Sequence, residues 1–366
     1  MAWLVTREIR SLAPVLLLDP ARSTFDEMLR GYAVSMRSRG LAEGTIRVSQ
    51  YGVKRFFRFT GTYPWEWRPQ DVEDFTSSLL SGPEPLAHST IRGYHQVLKG
   101  FCGYISHPAY DWVDVCLERF GSAPAQICHP WNTFAHLAEF EARPTRRPFG
   151  YDELEAFFAQ ADQRAHDLVD DRKKGALPAL RDAQFFKTVY AFGLRRREAV
   201  MLDLNDLRPN PYVPEWGAYA KVQVRYGKAM KGSPPRRRTV LACPEFAWAS
   251  EGLRYWVEEV RPRLAGESDA LWVSERRRRI TTRTVDQRFA EIRDAVGLDR
   301  ALTLHSLRHS YVTHLIEFGY AAQFVQEQVG HNHSSTTAIY TSVGDDFKNR
   351  IFQEALRRVL GEGATA

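Results

Sequence analysis

Apolar residues in the first third of the chain recur at every third or fourth position, the spacing that places them on one face of an α-helix. The repeat predicts four helices between Thr24 and about Ser106, with stops near Gly40 and Gly61 and prolines ahead of the third and fourth. These helices predict a helical domain over residues 21–122. Their apolar faces are formed, in order, by Phe25, Met28, Leu29, Tyr32 and Met36; by Ile46, Tyr51, Val53, Phe56 and Phe57; by Val72, Phe75 and Leu79; and by Ile91, Tyr94, Val97, Leu98 and Phe101.

The helical periodicity is lost over residues 123–147, which contain three prolines, and this stretch is predicted to be a linker. Residues 1–20 are predicted to form a separate N-terminal arm, and a second domain is expected over 148–366. Within the second domain, residues 162–182 are polar and charged, which indicates an exposed insert. The apolar run 183–191 predicts a buried helix directly after it.

Two short segments of the second domain have the pattern of β-strands. Apolar and polar residues alternate over 219–225, and Arg238–Leu241 is the expected hairpin partner. The loop between them, Tyr226–Arg237, contains two glycines and two prolines. From about Glu251 onward the pattern is again mostly helical. The expected fold class is therefore mainly α with a small β-sheet in the second domain (α+β).

Composition supports a globular protein of two domains. The chain has 366 residues, of which 44% are hydrophobic and 26% charged, and this excludes a disordered chain. At roughly 100–200 residues per domain, the length agrees with two domains. No stretch approaches the roughly 18 uncharged apolar residues of a membrane span. The apolar run near the N terminus is interrupted by Pro14 and closed by Asp19 and Pro20, so a signal peptide is not indicated.

Cysteine usage points to a reducing compartment. The chain has four cysteines, Cys102, Cys116, Cys128 and Cys243, and no two of them have C-x-x-C spacing. Neither a zinc cage nor a disulfide framework is therefore indicated. The expected location is the cytoplasm, in association with the nucleoid.

Positive charge is concentrated in three clusters of the second domain, Arg195–Arg197, Arg236–Arg238 and Arg276–Arg279, in a chain with a net charge of +6. Any one cluster could be a solvated surface, but three together favour a polyanionic partner, namely nucleic acid. The candidate DNA-contacting residues are Arg236 and Arg237, together with Arg92, His95 and Lys99 on the expected exposed side of the fourth helix. A helical bundle without a role in DNA binding would show the same side chains.

Several common catalytic motifs are absent. The chain has no G-x-x-x-x-G-K-[ST] phosphate loop, no G-x-G-x-x-G and no H-E-x-x-H. A metal site is also not indicated, because neither of the histidine groups, 305–314 and 331–333, contains an acidic residue, and Arg308 would repel a cation. Nothing local supports ATP hydrolysis, dinucleotide chemistry or zinc proteolysis.

A different constellation runs through the second domain in a fixed order. It consists of Gly193-Leu194-Arg195-x-x-Glu198, Gly227-Lys228, His305-x-x-Arg308, Gly330-His331 and Tyr340. Arginine forks match the charge and shape of a phosphodiester transition state. A tyrosine oxygen can attack phosphorus, and a lysine can return a proton to the leaving oxygen. The residue types fit phosphoryl transfer without a metal.

These motifs and their order resemble the tyrosine recombinases (phage-integrase-like), which share a catalytic fold with type IB topoisomerases. The tyrosine lies in Ala-Ile-Tyr340-Thr, nine residues after His331. The N-terminal helices and the phrase Gly40-Leu-x-x-Gly-Thr45-Ile also resemble the family's core-binding domain. The resemblance extends over most of residues 20–360.

The resemblance implies a role for each motif residue. Tyr340 would be the nucleophile that forms a 3′-phosphotyrosyl link and frees a 5′-hydroxyl. Arg195 and Arg308 would clamp the scissile phosphate, and Lys228 would protonate the leaving 5′-oxygen. The remaining residues would assist them: His305 as base or hydrogen-bond partner of the tyrosine, His331 as a phosphate contact, and Glu198 as the carboxylate that orients the arginines. No metal and no other cofactor is implied.

Two assignments remain open in the sequence. The family's hairpin is lengthened here, so Lys231 is a rival of Lys228 for the general acid. Arg196 and Arg197 compete with Arg195, although the Gly-Leu-Arg pattern favours Arg195. Tyr311 and Tyr320 are poorer candidates for the nucleophile, because the first follows the His-x-x-Arg helix directly and the second lies in a Gly-Tyr turn.

The resemblance implies a site-specific recombinase acting on double-stranded DNA recombination sites, with two domains forming a C-shaped clamp. The protein is expected to be a monomer or dimer when free and a homo-tetramer on DNA, exchanging strands through a Holliday junction, with a directionality protein as a further partner. Integration, excision, transposition and multimer resolution remain open as biological roles. The alternatives are a type IB topoisomerase-like nicking-resealing enzyme and an inactive DNA-binding accessory protein. An apolar stripe over 346–360 predicts a C-terminal helix that docks on a neighbouring protomer.

Overall fold

The computed structural model describes residues 19–135, 147–227 and 235–330. Lys228, Lys231, His331, Tyr340, residues 1–18 of the predicted arm and the C-terminal segment 346–360 lie outside these ranges. Among the described residues, no helix combines the length and the apolar character needed to cross a membrane. The chain separates into two units, an N-terminal unit that includes the described residues up to 135 and a C-terminal unit that includes those from 147.

The N-terminal unit is helical. Its helices are α1 (Pro20–Ser38), α2 (Glu43–Thr60), α3 (Pro69–Ser81), α4 (His88–Ile105) and α5 (Trp112–Phe120). The four helices predicted from the apolar repeat are confirmed, and α5 follows them. The carboxylate of Asp19 accepts a hydrogen bond from the backbone N–H of Arg22 (2.8 Å) and so caps α1. Gly61, in the left-handed conformation (φ 67°), ends α2.

An aromatic cluster fills the core of this unit. The ring of Phe56 meets Trp67 and Phe75 edge-on, with centroid distances of 4.9 and 5.2 Å. Such edge-to-face contacts add to the stabilisation from burial alone. All three side chains are almost completely buried. The apolar stripes of α2 and α3 therefore face each other as their spacing predicts.

The first part of the predicted linker belongs to this core. Ile127, Cys128 and Asn132 are buried. The Asn132 amide donates to the carbonyl oxygens of Pro69 (3.2 Å) and Ile127 (2.9 Å). The prolines interrupt secondary structure here, but the segment still packs against the helices.

His95 does not lie on an exposed side of α4, so that expectation is wrong. Its side chain is buried, with Nε2 2.8 Å from the Thr76 hydroxyl and Nδ1 accepting from the backbone N–H of Phe134 (3.1 Å). Burial lowers the pKa of this imidazole. The chain around Phe134 packs against this side of α4. The spacing of apolar residues within α4 gives no sign of this contact. Arg92 is half-buried and Lys99 is exposed.

The C-terminal unit is a set of helices around a small sheet. The helices are α6 (Tyr151–Asp170), α7 (Ala176–Ala191), α8 (Arg196–Val200), α9 (Ala247–Tyr255), α10 (Pro262–Ala265), α11 (Thr282–Ala295), α12 (Leu304–Glu317) and α13 (Ala322–Val329). The strands are β1 (Leu207–Arg208), β2 (Lys221–Val224) and β3 (Arg238–Leu241). The mainly α fold with a small sheet in the second domain is confirmed.

The three strands form one antiparallel sheet in the order β1-β2-β3. In the β2–β3 hairpin Val222 pairs with Val240, and Val224 pairs with Arg238. The predicted hairpin is confirmed, and β1 is an additional strand of two residues. The sheet places the loop that carries Gly227 at the end of β2, where the Gly227 N–H donates to the carbonyl of Arg236 (3.1 Å).

Residues 162–182 do not form an exposed insert, so that prediction is wrong. They comprise the end of α6, an exposed turn and the first half of α7. Arg181 and Asp182 are buried as an ion pair (2.6 Å), and Arg181 also donates to the carbonyl of Val273 (2.8 Å). Each charge is compensated inside the fold, which makes a charged sequence compatible with the interior.

Candidate active site

A tight turn after α7 presents Arg195. Gly193 adopts the left-handed conformation (φ 54°), and a Cβ at this position would lie 2.3 Å from the ring of Tyr311. Only glycine therefore fits between α7 and α12 at this point. Leu194 is buried, and Arg195 directly precedes the first residue of α8. The Gly-Leu-Arg motif is a turn whose geometry fixes the backbone position from which the Arg195 side chain extends.

Helix α12 supplies the second arginine. The Arg308 guanidinium is buried and donates to the carbonyl oxygens of Gly193 and Val329, both at 2.6 Å. These bonds connect α12 to the turn before Arg195 and to the last residue of α13. His305 lies one turn earlier on α12, half-buried, with its ring 4.9 Å from that of His309. The predicted helical placement of His305 and Arg308 is confirmed.

Glu198 lies at the centre of the arginines. Its buried carboxylate accepts from the backbone N–H of Arg195 (2.8 Å) and from Arg195 Nη1 (2.8 Å). It also accepts two hydrogen bonds from Arg238, one on each oxygen, at 2.8 Å. The Arg308 Nη1 atom lies 3.8 Å from Oε2. The structure thus brings together Arg195, Glu198 and Arg308, as the sequence motifs predict, and adds Arg238.

The electrostatics of this cluster favour a bound anion. Burial raises the pKa of Glu198, but hydrogen bonds and charge from Arg238 and Arg195 outweigh it and lower that pKa to about 2. Burial and the neighbouring charge of Arg195 lower the pKa of Arg308 to about 9, which leaves it charged at neutral pH. Three guanidinium groups therefore surround one carboxylate, and the excess positive charge fits a phosphate.

Exposure shows which guanidinium faces solvent. The Arg195 side chain is 27% exposed, whereas those of Arg238 and Arg308 are 12% and 3% exposed. Arg196 pairs with Asp286 on the surface and Arg197 is exposed, so neither joins the cluster. Of the three consecutive arginines, Arg195 is the one that contacts Glu198.

Sequence reasoning missed Arg238 as a site residue. It treated Arg236–Arg238 as one surface cluster, but Arg236 and Arg237 are exposed and Arg238 points inward with Val240. The alternation of β3 is the signal that could have separated them, because residues two apart on a strand share a face.

The third arginine cluster, Arg276–Arg279, also contains both exposed and inward-facing side chains. Arg279 donates to the carbonyls of Val200 (2.9 Å) and Leu202 (2.8 Å), while Arg276–Arg278 are exposed.

A basic face of α2 was also missed. Arg47, Tyr51, Lys54 and Arg58 are exposed and spaced by three or four residues, so they lie on one side of the helix. The Arg58 guanidinium lies over the Tyr51 ring (5.9 Å). The signal in the sequence was the spacing of the basic residues, which complements the apolar stripe of the same helix.

Two tyrosines in the described part of the unit have other roles. Tyr311 is fully buried, and burial raises the pKa of its phenol well above the usual value. The Tyr320 hydroxyl donates to Glu245 (2.9 Å), and burial together with this carboxylate raises the Tyr320 pKa. Neither phenol is placed to ionise easily. No group of three or more metal-ligating side chains occurs within the ranges the structure describes.

The chain belongs to the phage integrase family, whose sequence model matches residues 161–346, slightly more than half of the chain. The match includes α7, α8, the hairpin, α12 and α13. It therefore contains Glu198 and the three arginines around it, Arg195, Arg238 and Arg308.

Two tyrosine recombinases named XerC are among its relatives. The chain is 30% identical over 206 residues to that of Pelotomaculum thermopropionicum, a region covering 55% of this chain and 62% of the relative. It is 34% identical over 171 residues to that of Escherichia coli K12, covering 47% and 51%. The chain therefore spans about half to three-fifths of the length of these relatives.

Solved structures share the fold at low identity. The XerH site-specific recombinase bound to palindromic difH substrate has a TM-score of 0.60 at 17% identity, covering 93% of this chain and 97% of that one. The Tn1549 transposon integrase in complex with circular intermediate DNA has a TM-score of 0.58 at 16% identity, covering 89% and 98%. A lambda integrase tetramer bound to a Holliday junction has a TM-score of 0.56 at 15% identity, covering 89% and 80%.

Proposed function

We propose that the protein is a site-specific DNA recombinase that cleaves and rejoins double-stranded DNA through a 3′-phosphotyrosyl intermediate. The observation that carries the proposal is the cluster of Arg195, Arg238 and Arg308 around the single buried carboxylate of Glu198. Its excess positive charge suits a phosphodiester, and the family membership supplies the reaction class.

The proposed cleavage step balances without a cofactor. The Tyr340 oxygen attacks the scissile phosphorus while His305 takes the phenolic proton or polarises the phenol. Arg195 and Arg308 stabilise the charge on the non-bridging oxygens, and His331 contacts the same phosphate. The bond to the 5′-oxygen breaks, and that oxygen receives a proton from Lys228. The phosphotyrosyl link retains the energy of the phosphodiester, so rejoining by a 5′-hydroxyl needs no ATP.

The DNA contacts are proposed from basic side chains of both units, all of them exposed except Arg92, which is half-buried. In the N-terminal unit these are Arg47, Lys54 and Arg58 of α2 with Arg92 and Lys99 of α4. In the C-terminal unit they are Arg236, Arg237 and the turn at Arg276–Arg278. Such residues bind phosphates and fix the register of the protein on the duplex. His95, being buried, is no longer part of this set.

The proposed assembly is a homo-tetramer holding two recombination sites. The lambda integrase structure is described as a tetramer on a Holliday junction, and its fold is shared. A tetramer allows strands to be exchanged in pairs, whereas a single subunit could only nick and reseal. We also propose a cytoplasmic location, since DNA is the substrate.

The proposal is tested on plasmids that carry one or two copies of the DNA flanking the gene. We expect the two-site plasmid to give a deletion circle or an inversion, and the one-site plasmid to give neither. Relaxation of supercoils on both plasmids, without rearranged products, would indicate a topoisomerase instead. Binding without any strand breakage would indicate a DNA-binding accessory protein.

A further inference from the structure

Arg238 joins three parts of the C-terminal unit. From β3 its guanidinium reaches both oxygens of Glu198 on α8 (2.8 Å each), and its Nε donates to the carbonyl of Gln328 on α13 (2.8 Å). In return, the Gln328 side chain accepts from the backbone N–H of Leu241 on β3 (2.9 Å). This reciprocal pair fixes the end of α13 against the strand.

Arg238 and Arg308 hold the same helix end. They donate to the consecutive carbonyl oxygens of Gln328 and Val329 at the end of α13. Gly330 follows in the left-handed conformation (φ 64°), and a Cβ there would lie 3.0 Å from Cδ of Arg238. The side chain of Arg238 is thus packed against the residue that directly precedes His331 in the sequence.

The hydrogen-bonding capacity of Glu198 explains why a third arginine matters. A carboxylate has about four lone-pair sites. Arg238 occupies two of them and Arg195 the other two, while Arg308 remains 3.8 Å away. Without Arg238, the buried carboxylate would be undercompensated and would draw the guanidinium groups of Arg195 and Arg308 towards itself. Those groups would then have fewer N–H donors for a phosphate.

We propose that Arg238 is a positioning residue of the reaction. It occupies Glu198 and anchors the end of α13, so that Arg195 and Arg308 stay directed at the scissile phosphate. The inference rests on the proposed function, because it concerns the rate of DNA cleavage. It differs from a purely structural role in requiring that Arg238 act through the charge of Glu198.

The test compares R238M, E198Q and the double variant in single-turnover cleavage of a nicked duplex, with DNA affinity measured in parallel. R238M is expected to cleave at least about tenfold more slowly, with affinity changed less than about threefold, since the lost interaction acts on the transition state. The double variant is expected to cleave no more slowly than R238M, because the carboxylate that captures the other arginines is gone. A double variant in which the two losses multiply would overturn the inference, as would an undiminished rate for R238M.

Further variants separate charge from position. R238K keeps the charge but not the paired hydrogen bonds, and it should fall between the parent and R238M. R263M removes an exposed arginine from α10 and should cleave like the parent. If R238M fails to fold, the rate of the double variant relative to E198Q decides: a further loss of tenfold or so contradicts action through Glu198. A parent protein that does not cleave the nicked duplex overturns the proposed function. A parent protein that cleaves it, together with an R238M variant that cleaves it equally fast, overturns this inference alone.

Discussion

At the scale of single residues, the sequence was sufficient to predict which site residues lie close together when they belong to the same turn or helix. Arg195 and Glu198 lie on one turn and its following helix, and His305 and Arg308 lie on one helix, so short spacings were enough. The alternation of β3 separates Arg238 from its exposed neighbours, but its contact with Glu198, 40 residues away in the sequence, is set by the tertiary fold and not by any local spacing. His95 was misplaced for the same reason, since a remote segment covers it.

Gly193→Ala should destabilise the protein more than an ordinary glycine replacement. The residue is left-handed, and the new methyl group would lie 2.3 Å from Tyr311. Backbone strain and overpacking together should cost about 3 kcal/mol. Gly297→Ala is the matched control, because Gly297 is also left-handed (φ 67°) but has open space around it; it should cost about 1 kcal/mol. Urea unfolding compares the two, and equal midpoints would contradict the close packing of the Gly-Leu-Arg turn.

His314 should make stability fall in mild acid. Burial lowers the pKa of its imidazole to about 4, although Glu317 opposes the shift. The ring accepts or donates a hydrogen bond with the Tyr190 hydroxyl (2.7 Å) and stacks on Tyr151. The unfolded chain, with an ordinary pKa of 6.5, takes up the proton first as pH falls from about 6.5 to about 4. The free energy of unfolding should therefore decline across that window.

The measurement is urea unfolding at several pH values for His314→Gln and the parent. The substitution should remove up to about 3 kcal/mol of the decline, the equivalent of the shift in pKa. His166→Gln, which removes an exposed histidine of α6, should leave the decline unchanged. A parent and a His314→Gln variant with the same pH dependence would show that this imidazole is not held neutral by the fold.

At the scale of secondary structure, helices with a clear apolar stripe could be predicted closely. The predicted second helix, for example, ended near Gly61, where α2 ends. The prediction of an exposed insert over residues 162–182 failed because it equated a charged sequence with exposure. Arg181 and Asp182 are buried, and their opposite charges compensate each other in the interior. β1 has two residues, too few for any alternation to show, and its pairing with β2 is set by the fold.

The hairpin between β2 and β3 carries the two candidate lysines, and we predict that Lys228 is the general acid. It directly follows Gly227, which is fixed at the end of the hairpin, whereas Lys231 lies further along the loop. A substrate with sulfur in place of the 5′-bridging oxygen has a leaving group that needs little protonation. It should restore cleavage by Lys228→Ala but not by Lys231→Ala. Restoration of Lys231→Ala alone would reassign the role.

At the scale of the whole molecule, the fold class could be predicted from periodicity and composition. The clamp and the tetramer remain predictions, because they depend on DNA and on other copies of the chain. Within the described ranges, basic side chains are exposed on both units. If DNA binds through these side chains, its affinity depends strongly on salt concentration.

DNA affinity should fall steeply between low and physiological salt. Each phosphate contact releases condensed counterions, so the slope of log affinity against log salt reports the number of contacts. Lys54→Gln and Arg58→Gln, on the basic face of α2, should each reduce that slope by about one. Arg30→Gln, an exposed arginine of α1, serves as the matched control and should leave it unchanged. An affinity that barely responds to salt in the parent would contradict binding through phosphates.

The central claim, covalent catalysis by Tyr340 at the arginine cluster, is tested most directly by trapping the intermediate. A duplex of the recombination site, nicked near the scissile phosphate so that the 5′-end diffuses away, is incubated with the protein in EDTA. We predict a covalent adduct at the 3′ side of the break, mapped to Tyr340 by peptide mass spectrometry. Tyr340→Phe should bind the duplex nearly as the parent does and form no adduct. An adduct with Tyr340→Phe, or a strict requirement for a divalent metal, would contradict the account.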